Sequence, residues 1–177
     1  MKWFKNISED LEAAKRFSLL NKFTIFFFNR GFHALLNYRI ANKLYKWRIP
    51  ILPSIFTRII QIIYAIDIDH RADLSGGIVI VHGVGLVIGS ACQINSNVIL
   101  FHEVTIGRKG VGPVININDG FPIIEESCII CAGSKILGKI VIGQNTTIGA
   151  NCVITKSVPS NSVCKIPGNH FVMYNKL

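Results

Sequence analysis

The stretch Ile78-Val79-Ile80-Val81-His82-Gly83-Val84-Gly85 sets one imidazole among β-branched residues and glycines. A histidine titrates close to neutral pH, so it can take a proton from an alcohol and give it back within one cycle. The same residue could also be a core histidine whose nitrogens are satisfied nearby. A carboxylate, Asp67, stands fifteen residues ahead of it, with Asp69 and Asp73 as close rivals. A second imidazole follows twenty residues later in Phe101-His102-Glu103, whereas His33, His70 and His170 belong to no constellation. Cys128-Ile-Ile-Cys131 has CxxC spacing but lacks the second Cys/His pair of a zinc site, so core packing is expected there and no metal.

The elements that must hold these groups announce themselves through a period of six. Apolar residues fall at Ile88, Ile94, Leu100 and Ile106, and in the same phase at Ile124, Ile130, Ile136, Ile142, Ile148 and Ile154. Four residues after most of them comes a small or β-branched side chain, as at Cys92, Val98, Cys128, Ser134, Thr146 and Cys152. A period of six fits neither a helix nor a meander; it marks a hexapeptide β-helix, in which three hexapeptides make one triangular coil and stacked coils bury the isoleucine column. The fold class is therefore an all-β solenoid preceded by an α-helical N-terminal segment. An earlier set, Ile68, Leu74 and Ile80, is out of phase with Ile88 by two residues, so the register slips at His82. Residues 108–121, rich in Gly, Pro, Asn and charge, read as an excursion from the coil rather than a rung.

The expected domains are a basic, aromatic-rich helical segment at 1–63, the β-helix at 64–168 with its loop at 108–121, and a tail at 169–177. Of the 177 residues, 50% are hydrophobic, enough for one sizeable core. The net charge of +9 is concentrated in residues 1–63, which hold eleven Lys/Arg against three Asp/Glu. Nucleic-acid readout motifs do not accompany it, so no nucleic-acid partner is expected. Five cysteines without scaffold spacing and no cleavable signal point to a reducing, cytoplasmic setting. Charges and prolines interrupt the apolar runs at 17–37 and 49–68, which excludes a spanning helix. Peripheral contact with the inner face of a membrane through Phe23 to Phe28 stays open beside packing against another subunit.

Asp67-Ile68, Gly77 to His82, Val104-Thr105-Ile106-Gly107, Ala132 to Gly138, Val158-Pro159 and Ile166-Pro167-Gly168 together resemble the hexapeptide-repeat acyltransferases, in the serine acetyltransferase branch with its short capsule and colanic-acid relatives. The resemblance implies a left-handed parallel β-helix that assembles as a homotrimer or a pair of trimers. It implies acetyl-CoA as co-substrate, lying between neighbouring β-helices, with His82 as catalytic histidine and Asp67 as its partner. Ala132, Gly133 and Ser134 resemble the turn that contacts pantetheine, and Thr105, Gly107, Lys135 and Lys156 are further candidates for binding acetyl-CoA. In chemical terms His82 would be the general base and Asp67 the group that fixes its tautomer, with no protein nucleophile. Backbone N–H groups near Gly83 or Gly107 are candidates for the oxyanion.

Three positions, proposed as acceptor-site candidates, bear on the substrate: Val81, His102 and Phe121. Serine acetyltransferases carry Asp before the catalytic His and Arg-His-Pro in the later loop, where this chain has Val81 and Gly120-Phe121-Pro122. Leaving the charges of a zwitterion unpaired in a pocket is costly, and the leader is short. The expected acceptor is therefore a sugar hydroxyl in capsular or exopolysaccharide biosynthesis. Serine O-acetylation for cysteine biosynthesis is the alternative, and a non-catalytic scaffold or acyl-CoA-binding subunit is the alternative of another class.

Overall fold

The structure is a computed structural model, and it describes residues 2–110 and 120–166. Among the described residues, fourteen strands of two or three residues, numbered in chain order, stack into three parallel sheets. The first sheet runs β1 (Asp67–Ile68), β4 (Val87–Ile88), β7 (Thr105–Gly107), β10 (Lys135–Leu137) and β13 (Val153–Ile154). The second holds β2 (Asp73–Leu74), β5 (Gln93–Ile94), β8 (Ile123–Ile124) and β11 (Val141–Ile142). The third holds β3 (Val79–Ile80), β6 (Ile99–Leu100), β9 (Ile129–Ile130), β12 (Thr147–Ile148) and β14 (Val163–Cys164). In almost every strand the second residue faces inward, since successive side chains alternate sides. The six-residue column from Ile88 to Ile148 is accordingly sealed from solvent, while Ile154 in the last full coil is half-buried.

Each coil needs left-handed backbone at its corners. One column of such residues is Gly77, Asn97, Ser127, Asn145 and Asn161, and another is Ala65, Gly85, Glu103, Gly133 and Asn151. Within each column the N–H of one member donates to a carbonyl one coil below, as Glu103 does to Val84 and Gly133 to His102. Asn and Gly recur there because they reach positive φ at low cost.

The irregularity expected at His82 is present. From third sheet to first, the later corners have four residues (101–104, 131–134, 149–152), whereas 81–86 has six. With Gly85 in the left-handed column, the two extra residues are His82 and Gly83. Among the described residues β8 follows β7 in the winding and joins the second sheet beside β5. Most of the segment expected as an excursion, 111–119, and the tail from residue 167 lie outside the described residues.

The segment ahead of the solenoid forms four helices: α1 (Lys2–Ser18), α2 (Lys22–Phe28), α3 (Arg30–Lys46) and α4 (Leu52–Tyr64). Asn21 and Asn29 cap α2 and α3 by accepting the N–H of Thr24 and Phe32, which satisfies donors that a helix start leaves open. The helices close the base of the solenoid. Neither β2 nor β3 has a strand beneath it, and an open edge of this kind is a liability. Side chains take its place: the Tyr38 hydroxyl donates to Ala72 O at 2.7 Å, and Asn42 to His70 O at 2.8 Å. Arg39 donates to the carbonyls of Leu74 and Ser75. Asp10 pairs with Arg39, Nε to Oδ2 at 3.1 Å, and accepts the Ile78 N–H at 3.0 Å, with both charged groups buried. No described helix is long and apolar enough to cross a membrane. Exposed apolar side chains remain on α2 (Phe23, Phe26, Phe27, Phe28) and α4 (Ile55, Ile59, Ile62, Ile63).

Candidate active site

His82 owes its position to the two-residue insertion. Its φ is +63° and the N–H of Gly83 donates to Val81 O at 2.8 Å, so His82 is the central residue of a γ-turn with positive φ, a rare and strained form. The turn pushes the imidazole out of the corner into solvent, which disposes of a core histidine. Gly83 follows with φ +75°; a Cβ there would stand 2.6 Å from Ile66 Cδ1 and 2.9 Å from Ile80 Cγ2. A side chain at 83 would therefore force the turn, and with it the imidazole, off the underlying strands.

His102 occupies the next corner up, and its ring meets that of His82 edge to face, centroids 5.8 Å apart and planes at 72°. Its Nδ1 is buried and has no hydrogen-bond partner among the described residues. On its other side His82 opens into a cavity of about 240 Å³ between the solenoid and the helices. Val81, Phe17, Phe28, Asn29 and Arg30 line it with His82, and so does Asp10, whose charge is already paired with Arg39. The cavity has this shape because α3 begins directly against β3: a Cβ on Gly31 would collide with the Ile80 carbonyl oxygen. Only glycine lets the helix approach so closely, and the approach brings Arg30 to the His82 end of the strand.

The structure gathers some of the sequence candidates and separates others. Val81 and His102 do adjoin His82. Asp67 begins β1 at the same edge, yet its Oδ2 accepts from Gln61 Nε2 at 3.3 Å, and among the described residues no hydrogen bond joins it to His82. The expected direct pair is thus not formed: Val87, not His82, is the residue above Asp67. Burial and the neighbouring Asp69 raise the Asp67 pKa above its ordinary value. Phe121 is 9% exposed and packs on Gly89 in the core, away from the cavity. Among the residues expected to hold acetyl-CoA, Ala132, Gly133 and Ser134 stand in the same corner column as His102, one coil above it. Ser134 is fully buried, however, and its hydroxyl donates to Cys131 O. Thr105 and Lys135 are paired neighbours in the first sheet, and the Lys135 ammonium donates to Glu103 O. Gly107 faces open space. Lys156 lies exposed at a different corner, between β13 and the bridge at Val158.

Of the two backbone donors considered for the oxyanion, the N–H of Gly83 is already engaged within the γ-turn. Three of the thiols are unsuited to nucleophilic work, since burial pushes Cys92 up to about 12 and raises Cys128 and Cys131. Sequence reasoning missed Arg30 and Gly31. Asn29 before an apolar helical run marks an N-cap, but which strand the helix abuts is a long-range contact that no local pattern encodes.

The chain is similar to known proteins. The family model for bacterial transferase hexapeptide (six repeats) matches residues 121–156. The serine acetyltransferase of Bacillus subtilis is 30% identical over 177 residues, covering 98% of this chain and 80% of the relative. That of Synechococcus elongatus is 34% identical over 139 residues, covering 78% of this chain and 55% of its own, so the chain spans about half the length of this relative. A solved serine acetyltransferase from Neisseria gonorrhoeae, in complex with serine, matches with a TM-score of 0.84 at 28% identity over 93% of this chain and 67% of that one. These relatives overturn the expected sugar acceptor and the expected closeness to capsule and colanic-acid enzymes, because they are named for serine at identities of 30% to 39%. The departures at Val81, Gly120 and Phe121 had suggested otherwise. They concern two corners of the solenoid, whereas much of the cavity wall comes from α1 and α3.

Proposed function

Because the chain belongs to the serine acetyltransferase family of bacterial hexapeptide transferases, we propose that it is an acetyl-CoA-dependent O-acetyltransferase whose acceptor is the hydroxyl of L-serine. The observation that carries this reading is His82, exposed on a strained two-residue insertion and facing a cavity of about 240 Å³. A solenoid built only as a scaffold has no use for such a break in its period.

In this mechanism the imidazole accepts the proton of the serine hydroxyl as the oxygen attacks the thioester carbon. The C–O bond forms, the C–S bond breaks, and the imidazolium returns its proton to the departing CoA thiolate, so no acyl-enzyme arises. Acetyl-CoA is assigned to the edge above His82, along the column of His102 and Gly133, where the main chain at Ala132 and Gly133 and the open face at Gly107 leave room for a pantetheine chain. Asp67 acts through the local field rather than as a direct hydrogen-bond partner.

The left-handed sense of the coils, a homotrimer and a cytoplasmic location complete the proposal. Subunit packing, rather than a membrane, covers the exposed faces of α2 and α4. The deciding experiment measures free thiol released from acetyl-CoA with L-serine, for wild type and His82→Ala. Turnover that the variant loses while CoA still binds supports the assignment. CoA binding without serine-dependent turnover in the wild type refutes the acceptor, and no CoA binding refutes the transferase.

A further inference from the structure

We propose that Arg30 holds the carboxylate of the acceptor, and so selects hydroxy-carboxylates, L-serine among them, in the cavity that His82 faces. The inference rests on the function proposed above and goes beyond it by naming the group that recognises the substrate. Arg30 and His82 line one cavity, reached from opposite walls: the start of α3 and the inserted corner. Among the described residues the Arg30 guanidinium makes no hydrogen bond or ion pair. The one carboxylate in the wall, Asp10, is committed to Arg39 and to the Ile78 N–H. The cavity therefore presents an uncompensated cation and no free anion.

A guanidinium suits a carboxylate because its planar fork can donate two parallel hydrogen bonds. Arg30 is the first residue of α3, so the partial positive charge of the helix start reinforces it. The contact of Gly31 with Ile80 fixes the distance between this cation and the turn that carries His82, two residues after Ile80. An acceptor anchored by its carboxylate at Arg30 can present its hydroxyl to the imidazole. The ammonium of serine finds no counterion in this wall, and Val81 supplies none, so the carboxylate carries the recognition.

The test compares L-serine, L-serinamide and 3-hydroxypropionate for wild type, Arg30→Gln and Arg30→Lys, with melting temperature as a check of folding. Arg30 is exposed, so the variants fold. A charged hydrogen-bonded contact of this kind is worth about 10- to 100-fold in affinity. Arg30→Gln should raise the KM for L-serine by about that factor, leave the KM for acetyl-CoA unchanged and leave serinamide turnover unchanged, while Arg30→Lys recovers part of the loss. Wild type should accept 3-hydroxypropionate nearly as well as L-serine. Equal losses on L-serine and serinamide, or no loss on either, overturn the role of Arg30, as does a wild type that rejects 3-hydroxypropionate. A wild type that binds CoA but acetylates none of the three overturns the acceptor reading itself, visible before any variant is made.

Discussion

The ring of His102 stands edge to face against that of His82, one coil above it, with 5.8 Å between centroids. His82 is exposed and sits on a strained turn, so its χ angles would be free without a neighbour. His102 is the aromatic contact that limits them. This gives the imidazole a support of packing where a carboxylate hydrogen bond was expected.

That support predicts a graded response at position 102. An aromatic pair is worth roughly 0.5–1.5 kcal/mol beyond area burial, so His102→Ala should lower kcat by about 2- to 10-fold. His102→Phe keeps the ring and should stay near wild type. If His102→Phe is as slow as His102→Ala, the nitrogen rather than the ring is what matters, and the packing role is refuted.

Gly83→Ala tests the turn itself. The added methyl meets Ile66 and Ile80 in a residue with φ +75°, a conformation that costs of order 1–3 kcal/mol for a side chain. Chemical denaturation should show a loss in that range. Turnover should fall further than stability explains, because the residue that moves is the neighbour of His82.

Asp10→Ala probes the base of the solenoid. It leaves the buried Arg39 without its anion and the Ile78 N–H without its acceptor, and removing one partner of a buried pair costs about 3–5 kcal/mol. Urea unfolding followed by circular dichroism measures it. A loss below about 1 kcal/mol, the scale of an exposed pair, would show that the helices are held on by packing alone.

Asp67 predicts an opposite sign. Its pKa in the folded protein is raised above the ordinary 3.8 by burial and by Asp69. Between 3.8 and the raised value the folded state binds more protons than the unfolded one, so the Asp67 contribution to stability falls as pH rises through that window. Asp67→Asn should therefore melt slightly higher than wild type at pH 7, the two converging below the window, by a margin that solvent screening keeps small. A lower melting temperature for Asp67→Asn at pH 7 would refute the sign.

What could be read from the sequence was whatever the period of six carries. Ile88 to Ile148 declare the core, and the spacing of eight from Ile80 to Ile88 declares the insertion at His82. Direction and long-range contact were not legible. Fifteen residues brought Asp67 and His82 to one edge, but the two extra residues fall in the corner that carries the imidazole, and among the described residues Asp67 hydrogen-bonds Gln61 and not His82. Phe121 looked like a site residue from its place in a loop and proved to be core. Arg39 recognises Asp10, Leu74 and Ser75 across spans that no repeat covers, and the acceptor was misjudged for the same reason, since α3 forms the opposite wall of the cavity.

The base of the solenoid also sets an origin. Tyr38, Arg39 and Asn42 bind the carbonyls of particular residues between 70 and 75, so the first coil cannot slide by one residue without losing all three. Among the described residues no such fixture is seen at the other end, where β14 pairs only with the strand beneath it. The stack thus resembles a ruler clamped at its zero mark: lengthening or trimming it from the far end would leave the reading at His82 unchanged, whereas a shift of the zero would move every mark.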